Sequence, residues 1–237
     1  MSRITSFART AGLAAAMLGS VSLSAEDGLK VKDTTNYLMS EQDEIALSRS
    51  AGPAAVSADA SILVMNSDGS YREAVKGSNG WTCLTGRSWT GPAPVVEGKR
   101  QWSANHFNPS IRAPQCFNAE AQDSLVALHK LTSKMFMSGA GTKDVDLAIG
   151  QSLGGGQIEI PEAGAMSYMI SPNQVLTPNG GRFMPHLMLY TPFATQANYG
   201  TRDRTMTVPM VAEAGSAWAT TVVVVPFWSD GSPAMGN

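Results

Sequence analysis

Cys83 and Cys116 constrain this chain more than any other feature. They are its only two cysteines, and they lie 33 residues apart (116 minus 83). In an oxidising compartment a lone pair most often closes into a disulfide. The alternative is a thiolate acting as nucleophile or metal ligand, and no C-x-x-C spacing supports that. A bridge over this separation would contribute roughly 3–4 kcal/mol by the chain-entropy argument. It would also bring the segment around Trp81–Leu84 beside the one that ends at Cys116.

The compartment is read from the N-terminus. Arg3 and Arg9 stand in an acid-free start, and an apolar run from Ala11 to Leu23 follows. Small residues come next at Ser22, Ser24 and Ala25, and charge returns at Glu26 and Asp27. A basic flank, a short apolar stretch and small residues are the order of a cleavable secretory signal, expected over residues 1–25. The run is shorter than the roughly 20 residues a membrane span needs. A buried N-terminal helix is the alternative, against which the acid-free basic flank counts. The expected location is therefore the periplasm or the exterior, where the cysteine pair would bridge.

Loss of Arg3 and Arg9 takes the 17 basic residues to 15 against 19 acidic, a net of −4. That balance lacks the clustered Lys and Arg a nucleic-acid surface uses to displace counterions. With 43% hydrophobic and 15% charged residues the chain is globular in composition, and its charge is below the usual roughly 25%. The expected organisation is a flexible segment over 26–39 and a single α+β domain over 40–237.

Ser40 caps a short helix with early acids Glu41, Asp43 and Glu44, and Gly52-Pro53 ends it. Ser61–Met65, Tyr71–Lys76 and Trp81–Leu84 read as strands joined by Asn-, Asp- and Gly-rich turns, most simply as a meander. Gly86 to Gln115 lacks periodicity and reads as a long loop, a kind that is often functional. Asn118 opens the best helix, Ala119 to about Met137, with an apolar stripe of Leu125, Leu128, Leu131 and Met135 and with His129 facing solvent. Thr142 caps a second helix closed by Gly154-Gly155-Gly156. Ala165–Ile170, His186–Thr191 and Thr220–Phe227 are further strands, the last reading as a central one through its run of valines. The fold class is α+β: a mixed, mainly antiparallel sheet of about five or six strands with two or three packed helices.

Four constellations bear on chemistry. Gly150-Gln151-Ser152-Leu153-Gly154 has the spacing of a nucleophile elbow, but it follows a helical pattern and opens no helix. Met184, His186 and Met188 would share one strand face, and thioether with imidazole suits Cu(I); core packing by methionine is the plainer reading. The long loop carries Trp89, Trp102, His106, Phe107 and Arg112, residue types fit for a small-molecule or anion site, or for covering a core edge. Trp228-Ser229-Asp230-Gly231-Ser232-Pro233 is a turn that puts an acid at a strand end, where it could face a cleft.

The chain also resembles a family of uncharacterised exported proteobacterial hypothetical proteins of similar length. The likeness is carried by Glu44–Ala51, Gly77–Cys83, Phe107-Asn108-Pro109 through Arg112 to Pro114, Cys116–Asn118, Gly164–Met169, Pro185–Met188 and Trp228–Pro233. It implies export and a helix end and loop over Gln151–Gly156, and it brings no activity. The family often has cysteine at Ser167, and aromatic and histidine residues at Phe183 and Met184, so the resemblance favours His186 and Met188 over Met184 as ligands.

These readings lead to an accessory protein that binds a small ligand or an envelope partner through His106, Arg112, His186 and Met188. A metal-dependent hydrolase is the rival, with His186, His106 and a carboxylate such as Asp230 holding Zn or another transition metal. A structural, envelope-interacting role is the third.

Overall fold

In the computed structural model, which describes residues 28–97, 99–201 and 207–234, Ser40 opens α1 (Glu41–Arg49) as its cap. Its hydroxyl accepts the Asp43 N–H at 3.1 Å, which satisfies one of the orphan donors of the first turn. The signal expected over 1–25 lies outside the described residues. Part of the stretch expected to be flexible is seated against the body. Tyr37 is buried, its ring 4.8 Å from that of Trp89, and Leu29 exchanges hydrogen bonds with Thr142.

After α1 comes the single turn α2 (Ala54–Ser57), then β1 (Ser61–Met65), β2 (Tyr71–Val75) and β3 (Thr82–Gly86). The three are not a meander. The sheet order is β2-β1-β3, with β2 antiparallel and β3 parallel to β1. The chain must therefore pass across the start of β1, and Gly77 is where it does so. A Cβ at Gly77 would lie 2.1 Å from the Ser61 nitrogen, so only glycine lets the two backbones cross.

The segment expected as one long loop is more structured. It holds the two-residue hairpin strands β4 (Val95–Val96) and β5 (Lys99–Arg100), and it ends in a full strand, β6 (Ala113–Phe117). Pro114 hid β6 from a sequence reading, because proline breaks ladders. Here β6 runs antiparallel to β3 along its whole length, but only its Cys116 and Phe117 pair with β7 (Met166–Met169) on the other side. Pro114 thus has a flank where its missing N–H breaks no ladder. β8 (His186–Tyr190), β9 (Met210–Ala212) and β10 (Thr220–Val224) complete an eight-stranded sheet of order β2-β1-β3-β6-β7-β8-β10-β9. The sheet exceeds the five or six strands expected, and β10 lies beside the edge strand rather than at the centre. At the centre lies β6, and every residue of it and of its neighbour β3 is buried.

Both faces of that centre are covered. On one, Leu63, Leu84 and Phe117 meet Leu125 and Val126 ahead of α3 (Ala127–Met137); on the other, Ile62, Cys83 and Cys116 pack with Ala51 and Ile45 beside α1. Cys83 and Cys116 face each other directly across β3 and β6 and form the expected disulfide. No described helix is long and apolar enough to cross a membrane. The Gly150–Gly154 motif sits in the last turns of α4 (Thr142–Gly154), not at a strand-to-helix elbow.

His129 corrects a sequence expectation. It is buried rather than solvent-facing, because Gln122–Val126 is π-helical and the wider turn rotates α3. His129, Thr132, Ser133, Phe136 and Met137 then face inward, while Leu128, Leu131 and Met135 are half-buried. The His129 ring meets Phe117 edge-on at 5.3 Å, its Nδ1 has no partner among the described residues, and burial pulls its pKa from 6.5 down to about 4. A histidine held neutral contributes stability that is complete above the unfolded value of 6.5 and is lost as pH falls through about 4. Two and a half units amount to about 3 kcal/mol. Urea unfolding at neutral pH and near pH 4 should show this loss in the native protein and a much smaller one in His129→Leu. Parallel acid losses in both proteins would refute it.

Candidate functional site

The outer side of α1 forms one wall of an open groove of about 470 Å³. Its walls include Arg49 from α1 and Ser50 at its C-terminal cap, Gly52, Ala54 and Ser57 at α2, Asn173 and Arg182 beyond β7, and Asp230 from the C-terminal turn. Main-chain hydrogen bonds hold these segments together. Ile170 N–H donates to Ala51 at 3.0 Å, and Ser229 N–H donates to Ile170 at 2.8 Å. Ser50 and Ser171 hydroxyls meet at 2.6 Å across the same seam. Gly52 packs close beneath the groove, where a Cβ would lie 3.3 Å from the Cys116 sulfur.

The inner side of α1 fixes the wall in place. Glu44 and Arg87 form a fully buried ion pair at 2.9 Å, and Ser48 meets the Thr85 hydroxyl at 2.8 Å. Arg87 also donates to the carbonyls of Tyr37 and Thr85, and Tyr71 donates to that Thr85 carbonyl at 3.1 Å. Burial pushes the Glu44 carboxyl above its ordinary range, and Arg87 pulls it back. Arg49 and Ser50 are therefore carried on an element locked from beneath, which suits a binding site.

Two guanidinium groups define the charge of the groove. Arg49 is exposed in the last turn of α1 and makes no hydrogen bond or ion pair with the described residues. Arg182 donates to the Pro172 carbonyl at 2.9 Å and lies over the Trp228 ring at 4.8 Å. Asp230 belongs to this groove, as an acid at a strand end facing a cleft would. Its carboxylate accepts from the Ser232 hydroxyl and N–H, and these bonds hold its pKa below the usual range.

The four residues singled out in the sequence lie elsewhere, each with an internal partner. His106 Nδ1 closes a turn on Ser103, its ring meets Trp102 edge-on at 5.5 Å, and burial lowers its pKa. Arg112 donates to the carbonyls of Pro109, Ile111 and Asn36, and burial with the nearby Arg87 brings its pKa down to about 10. His186 is buried, with Nδ1 2.7 Å from the Met184 carbonyl and Phe183 edge-on at 5.2 Å; burial lowers its pKa. Met188 packs against the cluster of Leu63, Leu84, Phe117 and Tyr190. His106 and His186 share no hydrogen-bond partner or ring neighbour, and neither lines the groove with Asp230. Among the described residues no three His, Cys, Asp or Glu side chains are grouped to hold a metal.

Arg49 and Arg182 escape a sequence reading because nothing local marks them. An arginine in the last turn of a short helix is ordinary charge placement against the helix dipole. Comparison with protein-family models, curated proteins and solved structures finds no match for the chain.

Proposed function

We propose that this is an exported binding protein, without chemistry of its own, that takes a small anionic ligand in the groove between α1 and the C-terminal turn. The observation that carries the reading is the convergence of Arg49 and Arg182 on a groove lined by hydroxyl and amide groups. Arginine presents forked donors that match carboxylate or phosphate, and Ser57 and Asn173 add neutral hydrogen-bonding groups beside them. Export follows from the signal read over residues 1–25, and the Cys83–Cys116 bridge fits an oxidising compartment.

The internal engagement of His106, His186 and the Asp230 carboxylate supports binding over metal-dependent hydrolysis, since no water-activating set is assembled from them. Titration calorimetry with citrate and inorganic phosphate tests the proposal. Binding is expected to weaken about tenfold in Arg49→Gln and again in Arg182→Gln, as loss of a charge-assisted hydrogen bond implies. Binding unchanged in both variants, or no binding of either anion, would sink it.

A further inference from the structure

The groove between α1 and the C-terminal turn carries both signs of charge. Asp230 lines it together with Arg49 and Arg182, and no other ionisable side chain is among its described lining residues. The carboxylate is only half used. The Ser232 N–H and hydroxyl both donate to its Oδ1, at 2.9 and 2.6 Å, and Oδ2 accepts from no other described residue. Of the two guanidinium groups it is that of Arg182 that acts on Asp230, and it helps to keep the carboxyl ionised. No ion pair joins the two all the same, because Arg182 is turned to the Pro172 carbonyl and the Trp228 ring.

A carboxylate in the groove discriminates among anions. A ligand that is anionic throughout meets like charge at Asp230, whereas one that brings an ammonium group finds a partner there. In an α-amino acid the ammonium and the carboxylate sit on one carbon, so neighbouring Asp230 and Arg182 can each meet an opposite charge at once. Arg49 then remains for a further acidic group. A ligand with two carboxylates and one ammonium balances the two guanidinium groups and the carboxylate of the groove. The volume of about 470 Å³ lies within the roughly 300–1,000 Å³ of small-molecule sites.

We infer that the ligand of this groove is an acidic α-amino acid: Arg182 takes its α-carboxylate, Asp230 its ammonium and Arg49 its side-chain carboxylate. The inference rests on the anion-binding reading and names the class of anion.

Calorimetry on the full chain at neutral pH compares L-glutamate with glutarate, which lacks the ammonium, and with L-glutamine, which lacks the side-chain charge. Glutamate is expected to bind about fivefold tighter than either, the upper end for an exposed charge pair. Asp230→Asn, which keeps an oxygen for the Ser232 donors, should abolish the advantage over glutarate. Arg49→Gln should abolish the advantage over glutamine. Asp59→Asn, exposed and outside the groove, should leave both advantages in place. Citrate and phosphate, titrated alongside, keep the two readings apart. If neither binds, the anion reading falls and this assignment with it. If either binds through Arg49 and Arg182, the amino-acid assignment alone is overturned by glutarate or glutamine binding as tightly as glutamate. Advantages that survive Asp230→Asn and Arg49→Gln, or that are lost equally in Asp59→Asn, overturn it as well.

Discussion

Replacing Arg87 by methionine is expected to cost about 3–5 kcal/mol of folding stability, the range for stripping one partner from a buried ion pair. Methionine keeps the unbranched apolar stem and lacks the guanidinium, so the loss reports mainly charge and hydrogen bonds, with a smaller contribution from lost volume. Arg87 and Glu44 are 0% and 1% exposed, and no water shell would replace the guanidinium beside the carboxylate. The same substitution removes donors to the Tyr37 and Thr85 carbonyls, so the N-terminal segment, α1 and β3 lose their common tie. Arg112 is near enough to act on Glu44, but its donors are held by the carbonyls of Pro109, Ile111 and Asn36. The double variant Glu44→Leu with Arg87→Met should recover part of the loss, because it removes the uncompensated carboxylate while the Tyr37 carbonyl still lacks its Arg87 donor. Urea unfolding of both variants is the measurement. A single-variant loss below about 1 kcal/mol would mean that the pair is not desolvated as described.

The second large effect is that of the Cys83–Cys116 bridge. Its sulfurs close a loop of 33 residues between strands that already pair, so its stabilising effect resides mainly in the unfolded chain. Reduction should lower stability by roughly 3–4 kcal/mol on the chain-entropy estimate. Both cysteines are fully buried, so a reductant reaches them only when the sheet opens. Reduction in native buffer should therefore be slow and should accelerate with urea in step with unfolding. Fast reduction without urea, or a reduced form as stable as the oxidised one, would contradict this arrangement.

Legibility in the sequence followed the range of the forces involved. The Ser40 cap, the Gly52-Pro53 stop and the glycines that close α4 were readable because each acts within a few residues. Strands β1, β2, β3, β7, β8 and β10 were readable in outline from β-branched and aromatic runs between turns. β6 was not, because the reason Pro114 is tolerated is the short reach of its neighbour β7, which no local pattern contains. The inward turn of His129 was not, because a π-helical turn at Gln122–Val126 shifts the periodicity on which the apolar stripe was counted. The cross-over of β2-β1-β3 depends on Gly77 passing the Ser61 backbone, and its sequence neighbours look like any turn.

The candidate site divides in the same way. Residue chemistry alone marked His106, Arg112, His186 and Met188, and tertiary packing gave each of them an internal partner. Asp230 was legible as an acid at a strand end, but its companions Arg49 and Arg182 stand 181 and 48 positions before it and carry no local mark. By itself the sequence determined the α+β class, the disulfide and the short-range caps, because composition and neighbouring residues suffice for those. Only the tertiary structure decided the strand order, the buried Glu44–Arg87 pair and the groove that Arg49 and Arg182 share. Each of these depends on groups brought together from distant parts of the chain, where desolvation and pairing set the energy.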